Sequence, residues 1–169
     1  MKIGVEKFKD LWKIEFKELK ELDLNGNNIS DIRILEKVKF EKLEKLDLGE
    51  NKISDIKVFE KVNFKELKEL SLHYNRISDI NILEKVKFEK IERLYLGSNT
   101  ISDINILEKV NFKELNKLDL SGNKISNINI LEKVKFKELK ELDLSWNEIN
   151  YDENNSILSS LKSKINIII

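Results

Sequence analysis

One apolar triplet, L-x-x-L-x-L, recurs along this chain at a fixed spacing, and that recurrence constrains the fold more than any other feature. The residues that open it are Leu19, Leu43, Leu67, Ile91, Leu115 and Leu139, each 24 positions after the last. The order inside a unit is also kept. From Leu43 it runs Leu43, Leu46, Leu48, Asn51, Ile53, Ile56, Phe59, Val62, Phe64, and from Leu67 it runs Leu67, Leu70, Leu72, Asn75, Ile77, Ile80, Leu83, Val86, Phe88. Around Leu46 and Leu48 apolar and polar residues alternate, which is the period of a strand. From Ile56 onward the apolar spacing widens to three (Ile56, Phe59, Val62), which suits a short helix, and Ser54 and Asp55 stand just before it as capping residue types. A strand and a helical turn or two cannot bury an apolar face alone, so the units must stack on one another.

The pattern L-x-x-L-x-L-x-x-N-x-I resembles the leucine-rich-repeat superfamily, nearest to its internalin-like and phosphatase-regulator-like subclasses, which share the N-x-I-x-x-I step. The resemblance spans roughly residues 5 to 149. It implies an α/β repeat: a leucine-rich-repeat solenoid with a concave parallel β-sheet and short helices on the convex side. This chain departs by an added apolar step, Val38 to Phe40 and its equivalents, which lengthens the convex side. In that fold Asn27, Asn51, Asn75, Asn99, Asn123 and Asn147 form a ladder of buried amides bonded to backbone groups of adjacent turns. Phe16, Phe40, Phe64, Phe88, Phe112 and Phe136 form an aromatic spine. Both are expected to be structural, because identical residues in every unit are what stacking demands.

The ends depart from the repeat, giving an expected division into a capping half-unit at 1–18, six units over 19–149 and a C-terminal cap at 150–169. Phe8, Leu11, Ile14 and Phe16 fall 24 residues before Ile32, Leu35, Val38 and Phe40, and Trp12 is expected to pack within that first cap. At the other end Ser156 is the expected cap of a helix carrying Ile157, Leu158 and Leu161. Ile165 and Ile167 match Leu142 and Leu144, which predicts a last strand, and the Ile165–Ile169 edge is where a second copy would pair.

Composition narrows the possible activities. Thirty-one basic and thirty-one acidic residues cancel, which argues against a phosphate-binding or basic membrane-binding surface. There are no cysteines and one histidine, His73, so neither a thiolate site nor a multi-histidine metal site is available. The start, Met-Lys-Ile-Gly-Val-Glu-Lys, lacks the apolar stretch of a signal peptide, and no apolar run reaches the ~18 residues of a membrane span. The expectation is a cytoplasmic, cofactor-free, monomeric domain without nucleic-acid or membrane partners. Lys, Asn, Ile and Glu are abundant while Ala, Gln and Pro are absent, which points to an AT-rich coding genome.

In such a repeat, function shows where the units disagree. Two solvent-facing columns of the sheet alternate in sign: Lys20, Glu44, Lys68, Glu92, Asn116, Lys140 and Glu21, Lys45, Glu69, Arg93, Lys117, Glu141. Alternation avoids like charges facing each other across in-register strands. A third column, Asp23, Asp47, Ser71, Tyr95, Asp119, Asp143, breaks its own rule in the two central units. Next come Asn25, Gly49, His73, Gly97, Ser121, Ser145, where the His73 ring is expected to stand clear between two glycines, and then Gly26, Glu50, Tyr74, Ser98, Gly122, Trp146. The departures Ser71, His73, Tyr74, Arg76, Arg93 and Tyr95 cluster, and Trp146 lies about 14 Å from Tyr74 at the strand spacing. Tyr, Trp and Arg are the residue types enriched at binding hot spots. These seven are the candidate partner-binding residues, with the Tyr95 ring directed to solvent; packing against Tyr151 under the C-terminal cap is a second reading of Trp146.

The favoured function is therefore a non-catalytic module that binds another protein on its concave face. The first alternative is a scaffold without a specific concave ligand. The remote one is a weak hydrolase using Ser71 and His73, with Asp47 one strand away; strand geometry is expected to hold that pair too far apart, without an oxyanion hole. The aspartate column, Asp119 and Asp143 included, is expected to be solvated surface rather than a metal site.

Overall fold

The computed structural model describes residues 1–2, 4, 8, 10, 13, 15–134 and 136–169. Each L-x-x-L-x-L triplet contributes a short strand: β1 (Glu21–Asp23), β2 (Lys45–Asp47), β3 (Glu69–Ser71), β4 (Arg93–Tyr95), β5 (Lys117–Asp119) and β6 (Glu141–Asp143). Helix α1 (Asn155–Lys162) and β7 (Asn166–Ile168) follow. The seven strands form one parallel sheet in chain order. Register keeps the 24-residue period through β6, so Leu22, Leu46, Leu70, Leu94, Leu118 and Leu142 lie in one row. That row is buried, as is the second row, Leu24 to Leu144. Burying one such side chain is worth about 1.5–3 kcal/mol, and each is covered by its neighbours in the stack.

On the convex side each unit makes a single 3-10 turn: Arg33–Lys37, Lys57–Glu60, Asn81–Glu84, Asn105–Glu108 and Asn129–Glu132. The cap positions are Ile32, Ile56, Ile80, Ile104 and Ile128, which make no side-chain cap bond, and the polar residue just before each one shapes the turn instead. Asp31, Asp55, Asp79 and Asp103, with Asn127 in the last unit, each accept a hydrogen bond at 2.8–3.0 Å from the backbone N–H two residues on. Leu35, Phe59, Leu83, Leu107 and Leu131 turn inward from these segments. Phe rings run in contact from Phe16 through Phe40 and Phe64 to Phe88 at centroid distances of 5.5, 5.7 and 6.3 Å, with Phe40 and Phe64 meeting edge-on. Phe59 adds to the spine edge-on to Phe88.

The amide ladder carries the polar load of the turn between strand and convex segment. Asn99 donates to the carbonyls of Leu72, Leu96 and Gly97 and accepts from the Ile77 N–H, at 2.9–3.2 Å. Asn51, Asn75, Asn123 and Asn147 repeat this four-bond set. Each amide thus ties its own unit to the one before it. Asn75 is fully bonded but half-buried, whereas Asn51, Asn99 and Asn123 are buried.

Two expectations for the C-terminal end change. The cap position of α1 is Asn154, and Ser156 lies within the first turn; the Asn154 side chain donates to the Asn150 carbonyl at 2.8 Å and shapes the turn that enters the helix. In β7, Ile167 lies opposite Leu142 rather than Leu144, and Ile165 precedes the strand. A full α-helix replaces the 3-10 turn in this last connection, so the return path is longer. The shift is by two residues, so Ile167 keeps its side on the core. At the other end, the Asp23 N–H donates to the Met1 carbonyl at 2.7 Å and Lys2 pairs with Asp23, which lays the first two residues along the outer edge of β1. Phe8 and Phe16 are buried; Leu11, Trp12 and Ile14 lie outside the described residues.

Candidate functional site

Six of the seven candidate residues sit on β3, on β4 and on the turn after β3, and Trp146 sits on the turn after β6. Those turns are set up by the third column. Asp23, Asp47, Asp119 and Asp143 each accept a hydrogen bond at 2.9–3.0 Å from the backbone N–H two residues on. Their carboxylates are thereby engaged by the backbone, which explains why like charges are tolerated in one row. The chain then passes through a left-handed residue in every unit: Gly26 (φ 68°), Glu50 (51°), Tyr74 (50°), Ser98 (54°), Gly122 (61°) and Trp146 (58°). Backbone bonds to the next unit hold this geometry, as in Tyr74 N–H to Gly97 O at 3.0 Å and Gly122 N–H to Ser145 O at 2.8 Å. The stack imposes the conformation whatever side chain the position carries.

Glycine meets that requirement without strain; other L-residues lose about 1–2 kcal/mol there. Tyr74 and Trp146 accept this cost while remaining 62% and 86% exposed. Neither aromatic ring compensates by burial. Trp146 stands in solvent instead of packing beneath the C-terminal cap, and Tyr151 is itself exposed.

Two further expectations are corrected here. The His73 ring does not stand clear; it leans over Gly49, where a Cβ would collide with it. Nor are Ser71 and His73 held apart: Ser71 Oγ and His73 Nδ1 share a hydrogen bond at 2.6 Å. The missing side chain at Gly49 gives the ring room to fold back along its own strand and reach the serine. His73 also meets Tyr74 edge-on at 5.5 Å. Ser71, His73 and Tyr74 therefore form one packed unit. Ser71 is 6% exposed, and the flanking N–H groups of Leu72 and Tyr74 are donated to Tyr95 O and Gly97 O.

Charge on the sheet is organised across strands. Glu69 receives Lys45 at 2.6 Å from one side and Arg93 Nε at 2.9 Å from the other. Burial pushes the Glu69 carboxyl up, but the bonds from Lys45 and Arg93 outweigh it and hold the group below its ordinary value. Glu44 likewise sits between Lys20 and Lys68 at 3.1 and 2.8 Å. Lys117 bonds Glu141 at 2.6 Å, and its ammonium lies 5.7 Å from the centroid of the Tyr95 ring. Tyr95 is accordingly half-buried, with Lys117 over its face, rather than directed to solvent. Arg76 is exposed beyond the Tyr74 turn, its N–H bonded to Ile53 O at 2.9 Å.

The structure thus brings Ser71, His73 and Tyr74 together and sets Arg93 and Tyr95 beside them on β4, while Trp146 lies three strands away. Lys117 belongs to this group and was missed among the candidates, although its like-charge register with Arg93 is legible in the second column. Among the described residues no group of three His, Cys, Asp or Glu side chains converges as for a metal ion, and no helix is long and apolar enough to cross a membrane.

A family model described as Leucine Rich repeats (2 copies) matches residues 17–61 and 65–109, more than half of the chain. Single-repeat models match residues 114–133 and 138–152. Among solved structures, the chain is similar to an internalin, InlF, of Listeria monocytogenes, with a TM-score of 0.71 and 26% identity over 90% of this chain and 44% of that one. It is also similar to internalin C2 of the same organism, with a TM-score of 0.63 and 24% identity over 90% of this chain and 70% of that one. The chain spans less than half the length of InlF. No curated protein matches the sequence.

Proposed function

The chain belongs to the leucine-rich-repeat family, and on that premise we propose that it is a non-catalytic interaction module that seats another protein against its concave face. Six units over 19–149 present the surface, and the segments 1–18 and 150–169 cap it. The contact residues are Ser71, His73, Tyr74, Arg76, Arg93, Tyr95 and Trp146. One observation carries this reading: exposed aromatic side chains at Tyr74 and Trp146 occupy left-handed positions that Gly26 and Gly122 fill in sister units. Backbone strain of that kind clusters at ligand-contacting sites, and a rigid stack offers such side chains with little ordering cost on binding.

The test starts with cross-linking capture by the purified chain in extract of its source cell, read by mass spectrometry, and continues by titrating the captured protein. Tyr95→Ala, Tyr74→Ala and Trp146→Gly are expected to weaken binding about thirtyfold each, the ~2 kcal/mol of a central anchor. Lys85→Ala on the convex side should change affinity little. Loss confined to convex substitutions would refute the concave assignment and move the site to the convex turns or the Ile165–Ile169 edge.

A further inference from the structure

The second column of the sheet contains one like-charge step. Reading across the register, Glu21 faces Lys45, Lys45 faces Glu69, Glu69 faces Arg93, and Lys117 faces Glu141, but Arg93 faces Lys117. The two cations lean apart: Arg93 donates through Nε to Glu69 on β3, and Lys117 bonds Glu141 on β6. Arg93 Nη1 is 3.6 Å from Glu92. Among the described residues, neither Arg93 Nη2 nor the Tyr95 hydroxyl has a hydrogen-bond partner. Tyr95 lies in the same seam, under the Lys117 ammonium. The row of aspartates that would neutralise this point is interrupted here, because Ser71 and Tyr95 replace aspartate on β3 and β4. It resumes with Asp119 and Asp143 on β5 and β6.

We propose that the β4–β5 seam of Arg93, Lys117 and Tyr95 receives a single carboxylate side chain, Asp or Glu, of the protein partner. The proposal rests on the concave-face reading above and names the chemistry that the face selects. An arriving carboxylate restores the broken alternation and accepts from guanidinium, ammonium and phenol donors together, which are the strong charge-assisted bonds. A run of acids does not fit, since Glu69, Glu92, Asp119 and Glu141 surround the seam and repel a second negative charge. The seam therefore selects one acid flanked by neutral or basic residues.

Three acetylated, amidated peptides serve as probes: Lys-Tyr-Glu-Tyr-Lys, the same peptide with Gln for Glu, and Glu-Tyr-Glu-Tyr-Glu. Binding is read by calorimetry at low ionic strength and by Tyr95 ring shifts in NMR. The first peptide should bind at least about tenfold more tightly than either other, with the contrast fading as salt rises. Lys117→Gln with Arg93→Gln should abolish it; the single Lys117→Gln carries the test if the pair fails to fold. Equal binding of the Glu and Gln peptides, with both weakened by Tyr74→Ala, overturns the carboxylate seam and leaves the concave surface standing. Weakening only by convex substitutions such as Lys85→Ala overturns both. The absence of binding by all three peptides at millimolar concentration overturns the seam alone.

Discussion

At the scale of single residues, Trp146 and Gly49 give opposed tests of what the turns require. Trp146→Gly relieves about 1–2 kcal/mol of left-handed strain against about 0.5–1 kcal/mol of added chain entropy. The variant should therefore melt slightly higher than wild type, by a few degrees at most, while binding the partner more weakly. A lower melting temperature would mean that the indole packs against the protein. Gly49→Ala places a methyl group into the His73 ring and close to Asn25 Nδ2. It should cost about 1–3 kcal/mol as overpacking does, and adding His73→Ala should recover most of that in urea melts. These positions also show where the sequence was readable. The cluster of departures in the central units stood out because a repeat supplies its own reference. The left-handed turn was signalled by Gly26 and Gly122 alone, and Glu50, Tyr74, Ser98 and Trp146 concealed it. The Ser71–His73 bond depends on side-chain rotamers, which column position does not set.

At the scale of the elements, the ladders were legible because a fixed period decides which residues become neighbours. The asparagine bonds follow from that alone. Asn99→Ala would leave the Ile77 N–H without a partner and take one donor from each of the Leu72, Leu96 and Gly97 carbonyls, which keep Asn75, Asn123 and the Tyr74 N–H. With about 1–3 kcal/mol for the N–H left unsatisfied in the interior and about 0.5–1.5 kcal/mol for each other bond lost, the total loss should reach at least about 2.5 kcal/mol in a chemical denaturation curve. The charged rungs make a pH prediction through Glu69. Its carboxyl is held below its ordinary value in the folded chain, so its stabilisation is fully present above the unfolded value, near ~4.3, and is lost as pH falls through the lower folded value. Glu69→Gln should thus be less stable than wild type at pH 7, and the difference should shrink steadily below about pH 4 in melts across pH. A constant difference down to the acid limit would remove Glu69 from the account. The β7 register and the Asn154 cap were not legible, because the period ends at Ile149 and nothing beyond it repeats.

At the scale of the whole molecule, cover on the core falls away at the ends of the stack. Leu43, Leu67, Ile91 and Leu115 are buried, but Leu19 and Leu139 at the two ends of that row are only partly buried, as is Phe136 beside the buried Phe40, Phe64, Phe88 and Phe112. A cavity of about 520 Å³ opens at the C-terminal end between the last 3-10 turn and α1, lined by Leu131, Phe136, Leu139, Ile157, Leu161 and Ile165. In a stack held by nearest-neighbour contacts, local opening starts where a unit has least cover. Hydrogen exchange should find the Leu94 and Leu96 amides among the slowest and the amides of α1 and β7 among the fastest; uniform protection along the chain would contradict this. The strict register from β1 to β6 has a further consequence at the level of the gene. Losing one codon inside a strand would turn its inward residues outward, whereas gaining or losing a block of 24 codons returns every strand to an equivalent partner. Unequal crossing-over between the near-identical stretches can therefore lengthen or shorten the concave face by one strand, about 4.8 Å, in a single event, and so change the spacing between Tyr74 and Trp146 without altering either residue.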